Sequence, residues 1–292
     1  MIPRALIVCV ILAALAAIGS AQARERTLFV SAVDEMGEPV EGLGPEAFII
    51  RENNQRREIL RVSRATEPLD IAVLVDNSAA ASDEILFVRE ALTKFVAAMA
   101  PANRIAIVAL ADRPTVLVEY TSDLKRLNDG IGRLFSMSTA GATLLDGIAE
   151  TTQGLRRRDT PRAVILPIVT DGIEFTNRYS RDVAAGLRSA GVALHIATLG
   201  QFPHVEEHGP RERSFLIDDG PRRSGGQRIS LLAPHGLAPA LERLARELSA
   251  QYKVVYGRPD SLFTPDDFEI SSARPGITMR AVPARGATGA MK

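Results

Sequence analysis

Asp76 and Ser78 follow the apolar run Ile71-Ala72-Val73-Leu74-Val75, which reads as a buried strand breaking into a polar turn before an amphipathic helix. Thr143 opens another helix in the stretch Gly141-Ala142-Thr143-Leu144-Leu145, and Asp171 follows the apolar run from Ala163 to Val169. A carboxylate, hydroxyls and a second carboxylate converging at the carboxyl ends of parallel strands suit a small, hard divalent cation such as Mg²⁺, which takes oxygen ligands in octahedral geometry. The same residue types also cap helices and tie loops, because short polar side chains bond nearby backbone groups. Both readings require the same elements to hold the residues in place.

Those elements are legible from periodicity. From Leu69 to about Tyr256, apolar runs alternate with helical patterns. Ile85, Val88, Leu92, Phe95 and Met99 share one helix face. Ile105 to Leu110 and Val116 to Val118 read as strands, and Ser122 as the cap of a helix carrying Leu124, Leu127, Ile131 and Leu134. A helix through Val183 and Leu187 stops at Gly191, the run Val192 to Leu199 reads as one strand, and Leu237 to Leu248 as a helix. Near-continuous apolar strands between helices predict an α/β fold, a doubly wound, mostly parallel sheet with helices on both faces. Pro167 lies inside one such strand and predicts a local bulge, because proline cannot donate to the ladder. The flanks differ. Short β-forming runs punctuated by Gly, Pro and Asn before Ala65, and Phe268-Glu269-Ile270 with Ile277 to Val282 after Arg258, predict one small β-rich layer. The expected divisions are a signal peptide at 1–23, a β-rich extension at 24–66, the α/β domain at 67–257, terminal strands at 258–283 and a tail at 284–292.

The ordered set strand-Asp-x-Ser-helix, Gly-x-Thr-helix and strand-Thr-Asp-Gly resembles the von Willebrand factor A (VWA) family and its metal-ion-dependent adhesion site (MIDAS). The resemblance covers roughly Leu69 to Tyr256 and assigns Asp76, Ser78, Thr143 and Asp171 to the family's metal positions. The family pattern is D-x-S-x-S, whereas this chain reads Asp76-Asn77-Ser78-Ala79-Ala80. Ala80 puts a methyl group where the second serine hydroxyl belongs. The resemblance therefore implies a protein-interaction module with an impaired metal site and no resident cofactor, or one in which water replaces the lost ligand and Mg²⁺ or Ca²⁺ still binds weakly. Asn77 and Glu174 stand beside these positions and join the expected partner-binding loops. The flanking text, including DEMGEPVEGLGPEAFIIRENNQRREIL and SSARPGITMRA, is similar to the VWFA-related proteins of acidobacteria, which are exported.

Composition narrows the classes further. Arg4, the uncharged apolar stretch Ala5 to Ile18 and the small residues Ala21 and Ala23 form a signal-peptide pattern. That stretch is short for a membrane span, which needs about 20 residues. Export to the periplasm or medium is expected, with no membrane span after cleavage. The only cysteine, Cys9, lies in the signal, so a disulfide framework and a thiol nucleophile are excluded from the mature chain. Lys and Arg total 35 and Asp and Glu total 35, a balance that argues against a nucleic-acid footprint.

His204-Val205-Glu206-Glu207-His208 matches the H-x-x-E-H pattern of inverted zinc peptidases. That chemistry needs both histidines on one helix face, and the bounding Phe202-Pro203 and Gly209-Pro210 predict a loop instead. Arg211 to Arg228 likewise reads as a solvated, mixed-charge loop. No G-x-S-x-G elbow surrounds Ser78 and no phosphate-cradling glycine loop is present. The expected function is a non-catalytic protein-binding one.

Overall fold

The computed structural model describes residues 24–158, 160–200, 206–258 and 268–285. The signal segment, His204 and the end of the tail lie outside the described residues. Strand β5 (Leu69–Val75) runs through the middle of a seven-stranded sheet. It is flanked by β6 (Arg104–Ala109) and β8 (Arg162–Val169), both parallel to it. β7 (Thr115–Thr121) closes one edge antiparallel to β6. On the far side, β9 (Val192–Leu194) and β10 (Ile196–Leu199) pair with β8, and β11 (Arg228–Leu231) pairs with β10, all parallel.

Alternate residues of a strand face opposite ways. Along β5, Ile71, Val73 and Val75 enter one core, shared with α1 (Ile85–Met99), α2 (Leu124–Gly132) and α6 (Leu237–Ser249). Ala72 and Leu74 enter the other, beneath α3 (Leu144–Arg156), α4 (Ser180–Ala190) and α5 (His208–Ser224). The doubly wound α/β expectation holds, with β7 as its antiparallel edge.

The flanks build two antiparallel sheets. One has the order β14 (Thr278–Pro283), β1 (Arg24–Val33), β12 (Tyr252–Arg258), β4 (Ile59–Arg64), and the other β13 (Phe268–Ser272), β2 (Phe48–Glu52), β3 (Gln55–Arg57). Their apolar faces share a third core containing Leu28, Val30, Phe48, Ile50, Val254 and Tyr256. Tyr252 to Tyr256, read from sequence as the end of the alternating pattern, thus lies in this layer, paired with β1 and β4.

Four local expectations need correction. Asp123, not Ser122, caps α2, its Oδ1 accepting from Lys125 N at 2.9 Å and Arg126 N at 3.2 Å. The register of β8 on β5 runs unbroken through Pro167, with no bulge. The interruption falls instead in the neighbouring strand, at His195 between β9 and β10. His195 N donates to Ile165 O at 3.0 Å, and Pro167, two residues on, faces the same neighbour, so its missing N–H meets that gap. Val192 to Leu199 is therefore two short strands. Finally, residues 208–224 are helix α5, not loop. Pro210 sits in the first turn, where a helix needs no N–H donor, Pro221 sits in the last turn, and Gly225 ends the helix at φ 80°. Arg213, Leu216, Ile217, Gly220 and Ser224 are buried at helical spacing, which anchors α5 to the sheet.

Candidate functional site

Asp76 leaves β5 with its N–H donating to Ile168 O at 2.9 Å, so the strand end is pinned to β8. Its carboxylate is buried, and both oxygens accept hydrogen bonds. Oδ1 accepts from Ser78 N at 2.9 Å, and Oδ2 accepts from Thr170 N at 3.1 Å and Thr170 Oγ1 at 2.6 Å. Asn77 ties three segments. Its Oδ1 accepts from Leu110 N and Ala111 N, and its Nδ2 donates to Phe135 O at 3.0 Å. Ser78 Oγ is buried and has no hydrogen-bond partner among the described residues.

Thr143 stands at the start of α3 but does not cap it with its hydroxyl, which donates to Leu110 O at 2.7 Å. Glu174 takes the capping role. Its Oε2 accepts from Leu144 N and its Oε1 from Leu145 N, each at 3.0 Å, placing a carboxylate at the positive end of the helix. Burial pushes the Glu174 carboxyl up to about 8, against the two backbone donors and Arg213, which favour its charged form. Asp171 is exposed, unlike Asp76, and none of the hydrogen bonds among the described residues involves its carboxylate.

The structure thus brings Asp76, Asn77, Ser78, Thr143, Asp171 and Glu174 to the carboxyl edge of the sheet. Sequence reasoning missed two members. Thr170 is the direct partner of Asp76. Arg213, on α5, reaches the loop after β8, where its Nη1 donates to the carbonyl of Gly172 and, at 3.5 Å, to that of Thr170. Burial lowers the Arg213 pKa, while Glu174, Asp76 and Asp171 raise it. An arginine on the same helical face as Leu216, Ile217 and Gly220 was the sequence signal for it.

Around these polar groups stands an apolar rim. Ile173 and Phe175 are 61% and 59% exposed, and Phe135 and Met137 from the loop before α3 are also exposed. Backbone bonds hold the two loops to the site: Ala142 N to Ile173 O at 2.8 Å, and Met137 N to Asn77 O at 2.8 Å. A cleft of about 690 Å³ lies beside Thr143, lined in part by Ile173, Glu174 and Phe175. A larger cleft, about 800 Å³, lies at the other end of α5 and contains none of these residues. Of the H-x-x-E-H motif, the described part places Glu207 at the N-cap of α5 and His208 as its first residue, while His204 lies outside the described residues.

A mostly parallel sheet with helices on both faces, and a polar cluster where β5 and β8 end, defines the class. The profile of the von Willebrand factor type A domain matches residues 71–174. Among solved structures, the protein BatB from Bacteroides thetaiotaomicron superposes with TM-score 0.50 at 13% identity, covering 62% of this chain and 97% of that one. Proximal thread matrix protein 1 of the mussel byssus gives TM-score 0.50 at 12% identity over 64% of this chain and 50% of that one. The same mussel protein with a zinc-occupied MIDAS motif gives 0.50 at 14% identity, covering 68% and 49%. The match therefore spans about half of the mussel protein. No curated protein sequence matches. The α/β part of this chain has the von Willebrand factor A fold.

The metal positions that the family resemblance assigns to Asp76, Ser78, Thr143 and Asp171 have one hydroxyl fewer in this chain. Ala80 contributes a methyl group. A Cβ placed on Gly172 would lie 2.8 Å from Ser78 Oγ and 3.0 Å from Ala80 Cβ, so the backbone closes on the space between them. Among the described residues, no three of His, Cys, Asp and Glu gather closely enough to hold a metal ion.

Proposed function

We propose that this chain is an exported, non-catalytic interaction module that docks another protein on the loops around Asp76, Thr143 and Asp171, with its MIDAS-type site impaired for metal. The observation that carries this reading is the placement of Ile173 and Phe175. They stand exposed on the loop that also carries Asp171, while the polar groups behind them are largely taken up by internal bonds. Apolar side chains held outward on a braced loop are a feature of protein-binding surfaces. The signal pattern at 1–23 supports export to the periplasm or medium, and the similarity of the flanks to VWFA-related acidobacterial proteins supports the same placement. Among the described residues no helix is long and apolar enough to cross a membrane.

A second reading is favoured by one atom. The unpartnered, buried Ser78 Oγ is a spare oxygen beside Asp76, as a domain retaining Mg²⁺ or Ca²⁺ with water in the lost serine's place would have. The mussel protein's zinc-occupied MIDAS motif is a precedent for metal in this fold.

The test is site-directed photo-crosslinking in the native envelope fraction, with the probe at position 175 or, as control, at the exposed Val116 on edge strand β7. A partner captured from 175, lost on adding Ile173→Asp and unaffected by chelator, supports the first reading. Loss of the same adduct on chelation supports the second. Equal capture from both positions would sink the docking surface.

A further inference from the structure

We infer that Arg213 is the resident cation of this site, its guanidinium standing on the Thr170-Asp171-Gly172 loop and supplying from within the chain the positive charge that a metal supplies in metal-bearing domains of this fold. The inference rests on the proposed impairment of metal binding but assigns it a second cause besides Ala80.

The geometry begins with α5. Its first turn packs against the loop after β8 so closely that a Cβ on Gly209 would lie 2.2 Å from Glu174 O. One turn further on, Arg213 points under that loop and donates to the carbonyls of Gly172 and Thr170, the neighbours of Asp171 on either side. The charges of Glu174, Asp76 and Asp171 act on it favourably, holding its guanidinium in the charged form. Arg213 is only 5% exposed, and a buried guanidinium is retained where carboxylates and carbonyls surround it. Arginine keeps its charge and spreads its donors in a rigid fork, so it can serve several oxygens from one fixed position.

A positive charge fixed there opposes a second cation. Like charges a few ångströms apart in a buried site repel strongly, because little water intervenes. Restoring the missing hydroxyl alone therefore leaves the obstacle in place. This separates the inference from the simpler account, in which Ala80 is the whole defect, and from a purely structural role in which Arg213 only ties the loop.

The experiment measures Mn²⁺ affinity by calorimetric titration, and melting temperature across a Mg²⁺ series, for the mature chain and four variants. These are Ala80→Ser, Arg213→Gln, and Ala80→Ser combined with Arg213→Gln or with Arg213→Lys. Gln keeps a donor for the Gly172 carbonyl and removes the charge, whereas Lys keeps the charge. The expected result is weak or undetectable binding by the natural chain, and weak binding by Ala80→Ser and the Lys combination. The Gln combination should gain at least about tenfold in affinity over Ala80→Ser, with a metal-dependent rise in melting temperature. If the Gln variants fold poorly without metal, recovery on adding Mn²⁺ supports the inference in the same way. Should Ala80→Ser alone bind as tightly as the Gln combination, Arg213 is not the obstacle, although the impaired site stands. Equal gains from the Lys and Gln combinations would also overturn it. Tight binding by the natural chain, lost in Asp76→Ala, would overturn the impaired-site reading as well.

Discussion

Thr170 Oγ1 donates to Asp76 Oδ2 at 2.6 Å across 94 residues of sequence, joining the ends of β8 and β5. The bond is buried and charge-assisted, the stronger kind. Thr170→Val keeps the shape and removes the donor, leaving Oδ2 with only the Thr170 N–H. The expected loss is about 1.5–3 kcal/mol in denaturant unfolding. An unchanged midpoint would mean that water replaces the hydroxyl at no cost.

Gly209→Ala tests the contact between α5 and the site loop. The added methyl meets the Glu174 carbonyl, which is backbone and cannot swing aside. A destabilisation of about 1–3 kcal/mol is expected. Gly154→Ala is the control, because nothing lies within 4 Å of a Cβ there and the position is exposed in α3. That change should stabilise the chain by roughly 0.5–1 kcal/mol through helix propensity. Similar effects from the two substitutions would refute the close packing of α5.

His195 makes acid sensitivity a sharp prediction. Burial lowers its pKa from 6.5 to about 4, and neither ring nitrogen has a hydrogen-bond partner among the described residues. Between these values the unfolded chain binds a proton that the folded chain refuses, so stability falls as pH drops from 6.5 towards 4. The contribution lost by pH 4 is on the order of 3 kcal/mol. His195→Leu removes the titrating group and should flatten this part of the profile. Parallel pH profiles for the two proteins would rule out His195 as its source.

The small β layer predicts a dependence between the two ends of the chain. β1 is sandwiched between β12 and β14, with Phe29 opposite both Lys253 and Val282. Truncation after Arg258 removes β13 and β14, which strips one edge from β1 and uncovers β2. Limited proteolysis should then cut within residues 24–64, while the seven-stranded sheet stays protected. Full protection of residues 24–64 in the truncated chain would contradict this.

The sequence by itself determined what periodicity can carry. The parallel strands, the helices on both faces and the placing of Asp76, Thr143 and Asp171 at one edge follow from apolar runs and polar breaks, which are local signals. The sequence also located Ala80 as the departure from the family pattern. Tertiary structure decided the rest, for two physical reasons. Proline and glycine have local meanings that packing can override: Pro167 is tolerated because its neighbour strand breaks at His195, and α5 forms despite Pro210 and Pro221 because its inner face is buried. The partners of a charged group depend on three-dimensional proximity. That Glu174 caps α3, that Thr170 holds Asp76 and that Arg213 reaches the same loop from 41 residues beyond Gly172 were set only when the chain closed on itself.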